Sequence, residues 1–421
     1  MINTEHFDLR LPRGLALHLL ACTSLFCGAS ALAQSNNYEQ TILVANRAEY
    51  RPVAFVDQYL VNPWGIALRP PGAGGHIWVS NAKTATTSLY IGDAHGVPLH
   101  QDGLKVLRVD GPLVSYEDGV SNVTGQVYNA ASDLPGQLIE FPVTGPATNF
   151  SGPVPTPLKP SSGAAKFVFV TTDGTINAWR ANTAESMESA VIVKDFSEKG
   201  ADRSHSLPFL PAYTGVAMTT SAFTKKDTGG NRLYVTDFQN NRIQVFDNNW
   251  KEITAQVQFQ RPAGMAENLS PYNIQCIGDK LFVVFAVVDT IAEEPATDVP
   301  DEGAGHVVVY NHDGQILQEL HDSGVLNSPW GIAIAPPDFG AMSSKLLIAN
   351  FGDGTIAAFE PATGDFVDFL RDHCGNPISI EGIWGLAFGN GVSLGDANSL
   401  YFTAGPEGEQ DGIFGRLNAG E

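Results

Sequence analysis

The chain has 421 residues, of which 43% are hydrophobic and 16% charged, which is enough to bury a large core. Its formal net charge of −21 repels phosphate backbones and argues against nucleic acid as a partner. The acidity indicates either solubility outside the cytoplasm or a surface that attracts cations. The 43 glycines and 26 prolines are typical of many short strands joined by tight turns, which favours the all-β class.

The pattern of residues at the N-terminus predicts an export signal. Arg10 and Arg13 precede an apolar stretch at 15–26, and Ala31-Leu32-Ala33 then gives a small-x-small cleavage pattern. We therefore expect residues 1–33 to be a signal peptide, cleaved after Ala33, and the mature protein to be secreted or periplasmic. The alternatives are a buried helix of the fold and, from a weak lipobox resemblance ending at Cys22, a lipid anchor. No later segment has the length and apolarity of a membrane span.

An isolated apolar segment, Thr41-Ile42-Leu43-Val44, precedes the first of a series of repeats. The last repeat has three strands before the chain ends at Glu421. We expect the N-terminal segment to supply the outer strand of that last unit, because closure by both termini removes an exposed sheet edge.

A repeated unit occupies the rest of the chain. It contains a glycine motif on a short apolar strand, a second apolar strand ending in Asn or Asp, a polar turn and a third strand. The opening position recurs at residues 65, 125, 215, 273, 331 and 385, with spacings of 54–60 residues and one of 90. Residues 34–421 are therefore predicted to form one six-bladed β-propeller. A β-sandwich or two stacked β-domains is the alternative.

Two insertions interrupt the repeats. The segment 133–165 is rich in Pro, Gly and Ser and falls between the first two strands of its unit, which places it at the opposite end of the propeller from the acidic insertion. The acidic loop 289–305 contains Glu293, Glu294, Asp298, Asp301 and Glu302. Oxygen-rich clusters suit a hard cation such as Ca²⁺, although a charge run is also typical of a solvated loop.

The starts of the first strands and the turns between second and third strands fall on one end of a propeller. We expect ligand-binding residues on that rim, and they are Asn62, Trp64, Asn81, Tyr272, Asn273, Trp330, Glu381 and Trp384. The candidate metal ligands are Asp237, Asn350, Asp353, Asp298, Asp301 and Glu302. The repeated tryptophans either pack as wedges between neighbouring blades near the axis or form a floor for a sugar or other planar ligand. The recurring Asn and Asp residues either hydrogen-bond a turn or present oxygens to a metal.

Two cysteines follow the predicted signal, Cys276 and Cys374, and they either pair or remain free thiols. No nucleophile elbow, HExxH helix, P-loop or Rossmann glycine pattern occurs in a suitable context. The sequence therefore leaves open whether the protein is an enzyme.

The chain resembles a family of secreted NHL-like β-propellers of unknown function, found in bacteria and some fungi and sometimes fused to a PEP-CTERM sorting tail. The resemblance covers roughly residues 40–416. It rests on the motifs Leu60-Val61-Asn62-Pro63-Trp64-Gly65, Thr172-Asp173-Gly174-Thr175-Ile176, Ser270-Pro271-Tyr272-Asn273-Ile274-Gln275, Asn327-Ser328-Pro329-Trp330-Gly331, Asn350-Phe351-Gly352-Asp353-Gly354-Thr355-Ile356 and Gly382-Ile383-Trp384-Gly385-Leu386-Ala387-Phe388-Gly389. It implies the fold and export but no reaction. Because this chain ends without a sorting tail, we expect release in soluble form.

Two functions compete on these grounds. The first is a non-catalytic extracellular or periplasmic binding module, expected to be a monomer, whose partner is a glycan, an envelope component or another protein. The alternative is a metal-dependent lyase or hydrolase, in which a cation at the mouth of the central channel polarises a carbonyl or activates water.

Overall fold

The computed structural model describes residues 35–71, 74–112, 122–133, 139–148, 160–181, 186–203, 207–219, 230–289 and 297–420, which belong to one compact unit. The predicted signal peptide, Glu293, Glu294 and parts of the 133–165 insertion lie outside these residues. Within the described ranges, no helix is long and apolar enough to span a bilayer.

The first half of the unit is built from β1 to β14. Two N-terminal strands come first: β1 (Tyr38–Ala45) and β2 (Phe55–Val56). One antiparallel series follows: β3 (Pro63–Ala67), β4 (Ile77–Asn81), β5 (Thr86–Tyr90) and β6 (Val106–Val109). The next series, with four short strands inserted in it, is β7 (Val123–Tyr128), β8 (Pro142–Gly145), β9 (Ala147–Thr148), β10 (Ser161–Ala164), β11 (Phe167–Thr171), β12 (Thr175–Trp179), β13 (Ser186–Met187) and β14 (Ser189–Asp195).

The second half repeats the antiparallel series four times. The first two are β15 (Tyr213–Met218), β16 (Leu233–Asp237) and β17 (Arg242–Phe246), then β18 (Leu269–Ile277), β19 (Lys280–Val287), β20 (His306–Tyr310) and β21 (Ile316–Glu319). The last two are β22 (Pro329–Ile334), β23 (Leu346–Asn350), β24 (Ile356–Phe359) and β25 (Phe366–Phe369), then β26 (Ile383–Phe388), β27 (Leu400–Ala404) and β28 (Ile413–Ala419). The described helical segments are short: Ala48–Tyr50, Ala82–Thr84, Ala130–Asp133, Gly340–Met342 and Pro406–Glu409.

The sheets have a propeller-like arrangement. Four sheets of three to five strands are separate blades, and an eight-stranded sheet has the order β3-β4-β5-β6-β14-β12-β11-β7. The first strands lie side by side in chain order, from β3 to β7, β15, β18, β22 and β26, and β26 returns to β3. All the opening positions predicted from the repeat lie in these first strands, which therefore surround a common axis.

Burial along the strands follows their place in a blade. The second strand β23 is apolar up to its last residue, Asn350, and fully buried, because neighbouring sheets cover both of its faces. The fourth strand β21 alternates between half-buried and exposed residues, as expected at the outer edge of a blade. The order from buried to alternating strands therefore runs from the axis outward.

The N-terminal strand closes the last sheet. β1 runs antiparallel to β28, with Tyr38 opposite Ala419 and Ala45 opposite Ile413. The short β2 pairs in parallel along the far side of β1. The predicted pairing of segment 41–44 with the last repeat is therefore confirmed.

At the opening positions that are glycine, the first strands approach one another too closely for a side chain. A Cβ atom on Gly385 would lie 2.5 Å from the carbonyl oxygen of Trp64 on the next first strand, and one on Gly65 would lie 2.9 Å from that of Thr124. That same Trp64 oxygen accepts a 2.6 Å hydrogen bond from the Thr403 hydroxyl, so it is held in place. The repeated glycine motif thus marks backbone contacts around the axis.

Candidate functional site

One end of the axis is filled by aromatic side chains. Trp64 stacks on Trp384 with ring centroids 3.6 Å apart, and Trp330 meets both rings edge-on at 5.7 and 5.9 Å. Tyr272 and Phe351 pack against the same rings. We call these five residues the aromatic plug. Trp64, Trp330 and Trp384 are only 8%, 4% and 1% exposed, so the structure favours wedging over a ligand floor.

Two carboxyl groups lie beside the plug. Asp298 accepts a 2.9 Å hydrogen bond from the Tyr272 hydroxyl. Burial raises the pKa of Asp298, and the neighbouring Ser328 hydroxyl opposes that effect. Burial also raises the pKa of Glu409, with a further contribution from the negative charge of Asp298. Asn62 also lies beside the plug, where it accepts a 3.1 Å hydrogen bond from Trp384 Nε1.

The polar residues at the ends of second strands hold turns. Asn81 donates to the hydroxyls of Thr86 and Ser88 at 3.1 and 3.0 Å. Asn350 donates to the carbonyl oxygen of Val325 at 2.8 Å and accepts from the backbone N–H of Asn327. The amide nitrogens of both residues therefore have structural partners, whereas Asn81 Oδ1 is buried without one among the described residues.

Asp237 is the buried carboxylate among the polar residues that end second strands. It is fully buried and pairs with Arg242, whose Nε lies 2.9 Å from a carboxylate oxygen. Burial raises the pKa of Asp237, and the charge and hydrogen bond of Arg242 act against that rise. Asp237 thus sits in an ion pair away from solvent.

The other predicted metal ligands are dispersed. Asp353 accepts from the backbone and hydroxyl of Thr355, and Asp301 and Glu302 are exposed. Glu381, predicted as a ligand-binding residue, accepts a 3.0 Å hydrogen bond from the Glu407 N–H. Across the described ranges, no three or more His, Cys, Asp or Glu side chains come together as a metal-binding group. A calcium site stays a prediction.

The cysteines do not form a disulfide. Cys276 is half-buried, with its sulfur 3.9 Å from His312 Nε2, and Cys374 is exposed on a separate turn. Burial raises the pKa of Cys276 to about 11, so it is a poor nucleophile near neutral pH. Of the two alternatives left by the sequence, the structure has free thiols.

The opposite end of the axis is open. A cavity of about 720 Å³ lies there, and we call it the axial funnel. Its floor includes Trp330 and Asn273, and its walls are the second halves of the first strands. The residues that line these walls include Ile66, Leu68, Gln126, Val127, Tyr128, Val216, Met218, Ile274, Gln275, Ile277, Ile332, Ile334, Leu386 and Phe388.

The described lining of the funnel is mainly apolar. None of its described lining residues is Asp, Glu, Lys, Arg or His. Ile334 is 37% exposed, and Ile66, Leu68 and Phe388 are half-buried, so apolar surface faces the cavity. Such a concave, mainly apolar site is the usual form of a small-molecule pocket.

The ligand-binding rim predicted from the sequence lies mainly at the plugged end, and none of these wall residues belongs to it. In the sequence, the wall residues follow the opening glycine as an alternation of large apolar residues with alanine. The three clearest cases are Gly65-Ile66-Ala67-Leu68, Gly331-Ile332-Ala333-Ile334 and Gly385-Leu386-Ala387-Phe388. The same pattern is typical of a core strand, so it did not distinguish a cavity wall from core. Of the predicted ligand residues, only Trp330 and Asn273 border the funnel.

The fold and the axial site define a β-propeller-like protein. No family model matches the chain. An uncharacterized protein of Acanthamoeba polyphaga mimivirus is 27% identical over 377 residues, covering 89% of this chain and 78% of that protein. Two further uncharacterized mimivirus proteins are 32% and 34% identical over 225 and 189 residues, covering 53% and 44% of this chain. The chain spans only 38% and 49% of the length of those two relatives.

Solved structures with a similar fold have little sequence in common with this chain. The WD40 β-propeller domain of Doa1 is 9% identical with a TM-score of 0.40, covering 89% of this chain and 96% of that one. Virginiamycin B lyase from Staphylococcus aureus is 12% identical with a TM-score of 0.39, covering 91% and 99%. An α-L-arabinanase from Penicillium chrysogenum is 11% identical with a TM-score of 0.48, covering 90% and 97%.

Proposed function

We propose that this protein is an exported, six-bladed β-propeller of the NHL-like kind that binds a small ligand in the axial funnel without transforming it. The observation that carries the proposal is the 720 Å³ cavity itself, because small-molecule pockets commonly measure about 300–1,000 Å³. An envelope component with an apolar part suits this lining better than a glycan, whose hydroxyl groups need hydrogen-bond partners.

The count of six blades is supported by the structure of the eight-stranded sheet. It consists of two four-stranded runs whose outer strands, β6 and β14, meet at only two residue pairs, Ser189 with Arg108 and Ala190 with Val109. Each run begins with a strand on the axis, as every separate blade does. We therefore count the two runs as two blades joined along their outer edges.

Export is supported by the basic, apolar and small-residue segments of the N-terminus. Mass spectrometry of the protein recovered from a bacterial host tests this proposal. The expected product is periplasmic or secreted and begins at Gln34. A cytoplasmic product that retains residues 1–33 contradicts it.

Ligand binding in the funnel is tested by thermal-shift screening of small envelope-derived compounds against matched variants. Ile334→Arg places a charge on the exposed part of the funnel wall, and Val97→Arg places one on a surface residue that is 49% exposed and outside the funnel. We expect compounds that raise the melting temperature of the parent and of Val97→Arg to lose that effect in Ile334→Arg. Ligands that bind all three proteins equally, or turnover of a bound compound, would contradict the proposal.

A metal-dependent hydrolase or lyase at the plugged end is the second candidate. It is favoured by the two interacting carboxyls of Asp298 and Glu409, because a divalent cation would stabilise their charged forms. Millimolar Ca²⁺ is then expected to raise the melting temperature of the parent and to have a smaller effect on Glu409→Gln. Equal shifts in both proteins, or none, count against a cation there.

A further inference from the structure

We propose that the ligand of the axial funnel is an uncharged amphiphile that enters with its apolar end first and leaves its polar end at the mouth. This inference rests on the proposed function and specifies the chemistry of its ligand. It follows from three features of the cavity: the satisfied polar groups at its depth, the lack of charge in its walls and the polar groups at its mouth.

Two side-chain amides at the depth of the funnel are already hydrogen-bonded within the protein. Gln126 Nε2 donates to the carbonyl oxygens of Gly65 and Trp78 at 2.9 and 2.7 Å, and its Oε1 accepts from the Thr87 hydroxyl. Asn273 Nδ2 donates to the Trp330 carbonyl oxygen at 2.9 Å, and its Oδ1 accepts from the Ile274 N–H. A polar ligand group carried to this depth would lose its water and find both of these side-chain amides already engaged, which costs free energy. The depth therefore selects an apolar end.

The walls select against charge of either sign. No described lining residue is acidic, basic or a histidine, so an ionised group carried inside the walls would be desolvated without a counter-charge from them; the guanidinium of Arg69 lies outside this lining, 5.6 Å from the ring centre of Tyr128. The protein's net charge of −21 adds a long-range repulsion for anions. A carboxylate or phosphate ligand is disfavoured on both counts, and an ammonium ligand is disfavoured inside the cavity.

The mouth is lined by polar groups that reach solvent. Gln275 lines the cavity as a half-buried residue, and the exposed turn at Gly278 adds backbone groups. An amide and backbone groups can donate to and accept from a hydroxyl, ester or amide headgroup. Ile334 stands on the same wall and is 37% exposed, which supplies apolar contact for the adjoining part of the ligand.

The probes for this inference are straight-chain 1-alkanols from hexanol to decanol, compared at pH 8 with the carboxylates and alkylammonium ions of equal length. We expect the alkanols to bind, with the dissociation constant falling about fourfold per added methylene. The charged compounds should bind at least about tenfold more weakly. A carboxylate or ammonium compound that binds in the funnel as tightly as the alkanol overturns the inference and leaves the proposed function intact.

The direction of insertion is tested by fluorescence quenching, because Trp330 lies at the funnel floor. Bromine at the end of the chain, as in 8-bromooctan-1-ol, should quench tryptophan fluorescence more than bromine beside the hydroxyl, as in 2-bromooctan-1-ol. The difference should disappear in Trp330→Phe and persist in Val97→Glu. Stronger quenching by the 2-bromo isomer contradicts apolar-end-first entry.

The polar mouth is tested by Gln275→Leu, which keeps the size of the side chain and removes its amide. This variant should lose most of the preference for octan-1-ol over 1-chlorooctane while retaining the chain-length dependence. An unchanged preference overturns the assignment of the headgroup to this residue. If the alkanols fail to bind and the thermal-shift screen finds a different ligand that Ile334→Arg excludes, this inference fails alone. If that screen also finds no such ligand, the proposed function fails with it.

Discussion

Close backbone contact at the axis sets the residue type at single positions. Gly385 lies between the Trp64 carbonyl oxygen and the Thr403 hydroxyl, at 2.5 and 2.9 Å from the place a Cβ would occupy. The same hydroxyl accepts a 2.8 Å hydrogen bond from the Gly385 N–H and donates to Trp64. Neither neighbour can move away without breaking a bond. Asn273, which takes the place of glycine in its repeat, bridges instead to the Trp330 carbonyl oxygen.

Gly385→Ala is therefore expected to destabilise the protein by about 1–3 kcal/mol, the usual cost of overpacking a buried position. Gly74→Ala is the matched control, because nothing lies within 4 Å of a Cβ there. Chemical denaturation of the three proteins measures the effect. Equal stability of the two variants would show that the axis tolerates a side chain at this position.

The carboxyls beside the plug give the protein a predicted pH dependence. Burial raises the folded-state pKa of Asp298 and of Glu409 above their unfolded-state values. The folded protein therefore binds more protons than the unfolded chain in that range, and stability falls as pH rises from about 4 through the raised pKa values. Asp298→Asn removes one of these charges and keeps an oxygen that can accept from Tyr272.

The expected result is that Asp298→Asn melts at a higher temperature than the parent at pH 7.5, with the difference shrinking towards pH 4. Asp301→Asn, which neutralises an exposed carboxyl of the same loop, is the control. Melting curves at several pH values measure the trend. A variant that is less stable than the parent at pH 7.5 would show that the carboxylate of Asp298 stabilises the fold.

At the scale of strands, most of the architecture follows from local pattern. The opening residues at 65, 125, 215, 273, 331 and 385 mark the axial strands, because only small or bridging residues fit where backbones touch. Second strands such as Leu346–Asn350 are recognisable as continuous apolar runs. The pairing of β1 with β28 was predictable because an unmatched strand at one terminus faces an incomplete sheet at the other.

The location of the cavity was not predictable in the same way. Trp64, Trp330 and Trp384 occupy one repeat position, but their meeting in a single cluster depends on packing between blades, which no repeat shows. The plug closes that end of the axis, and the funnel is the space left at the other. From the sequence, the polar residues near the plug are predicted to form a site. In the structure, Asn81 and Asn350 hold turns instead.

The N-terminal strand β1 makes a large contribution to the stability of the fold for its length. Tyr38, Leu43, Val44 and Ala45 are each at most 2% exposed, and the Tyr38 hydroxyl donates to the Phe339 carbonyl oxygen at 2.9 Å. Burying one Leu or Val side chain contributes about 1.5–3 kcal/mol, so losing this strand should remove several kcal/mol.

Deleting residues 35–46 together with those before them is thus expected to abolish the cooperative thermal transition. Deleting only residues 1–34 should preserve it. Differential scanning calorimetry of the two truncated proteins decides between these outcomes. A longer truncation that unfolds as cooperatively and at the same temperature as the shorter one would mean that β1 does not hold the last sheet closed.

At the scale of the whole molecule, closure depends on the presence of β1 and not on its position in the chain. Tyr38 stands opposite Ala419, and the Gly420 N–H donates to the Asn37 carbonyl oxygen at 2.8 Å, so the two ends of the described chain meet. A short glycine linker from residue 420 to residue 35 would convert this pair of strands into a hairpin. New termini can then be opened at Ala362 and Thr363, which are exposed in the turn between β24 and β25.

This circular permutant should fold, because every strand pair is retained and the break falls in an exposed turn. We expect one thermal transition close to that of the parent and the same ligand response in the funnel. A second permutant with the same linker but termini inside the buried strand β27 is the control, and it should not fold. The opposite result is that the first permutant fails to fold while the second is soluble and unfolds cooperatively. It would mean that chain order, and not the closed set of strands around the axis, determines this fold.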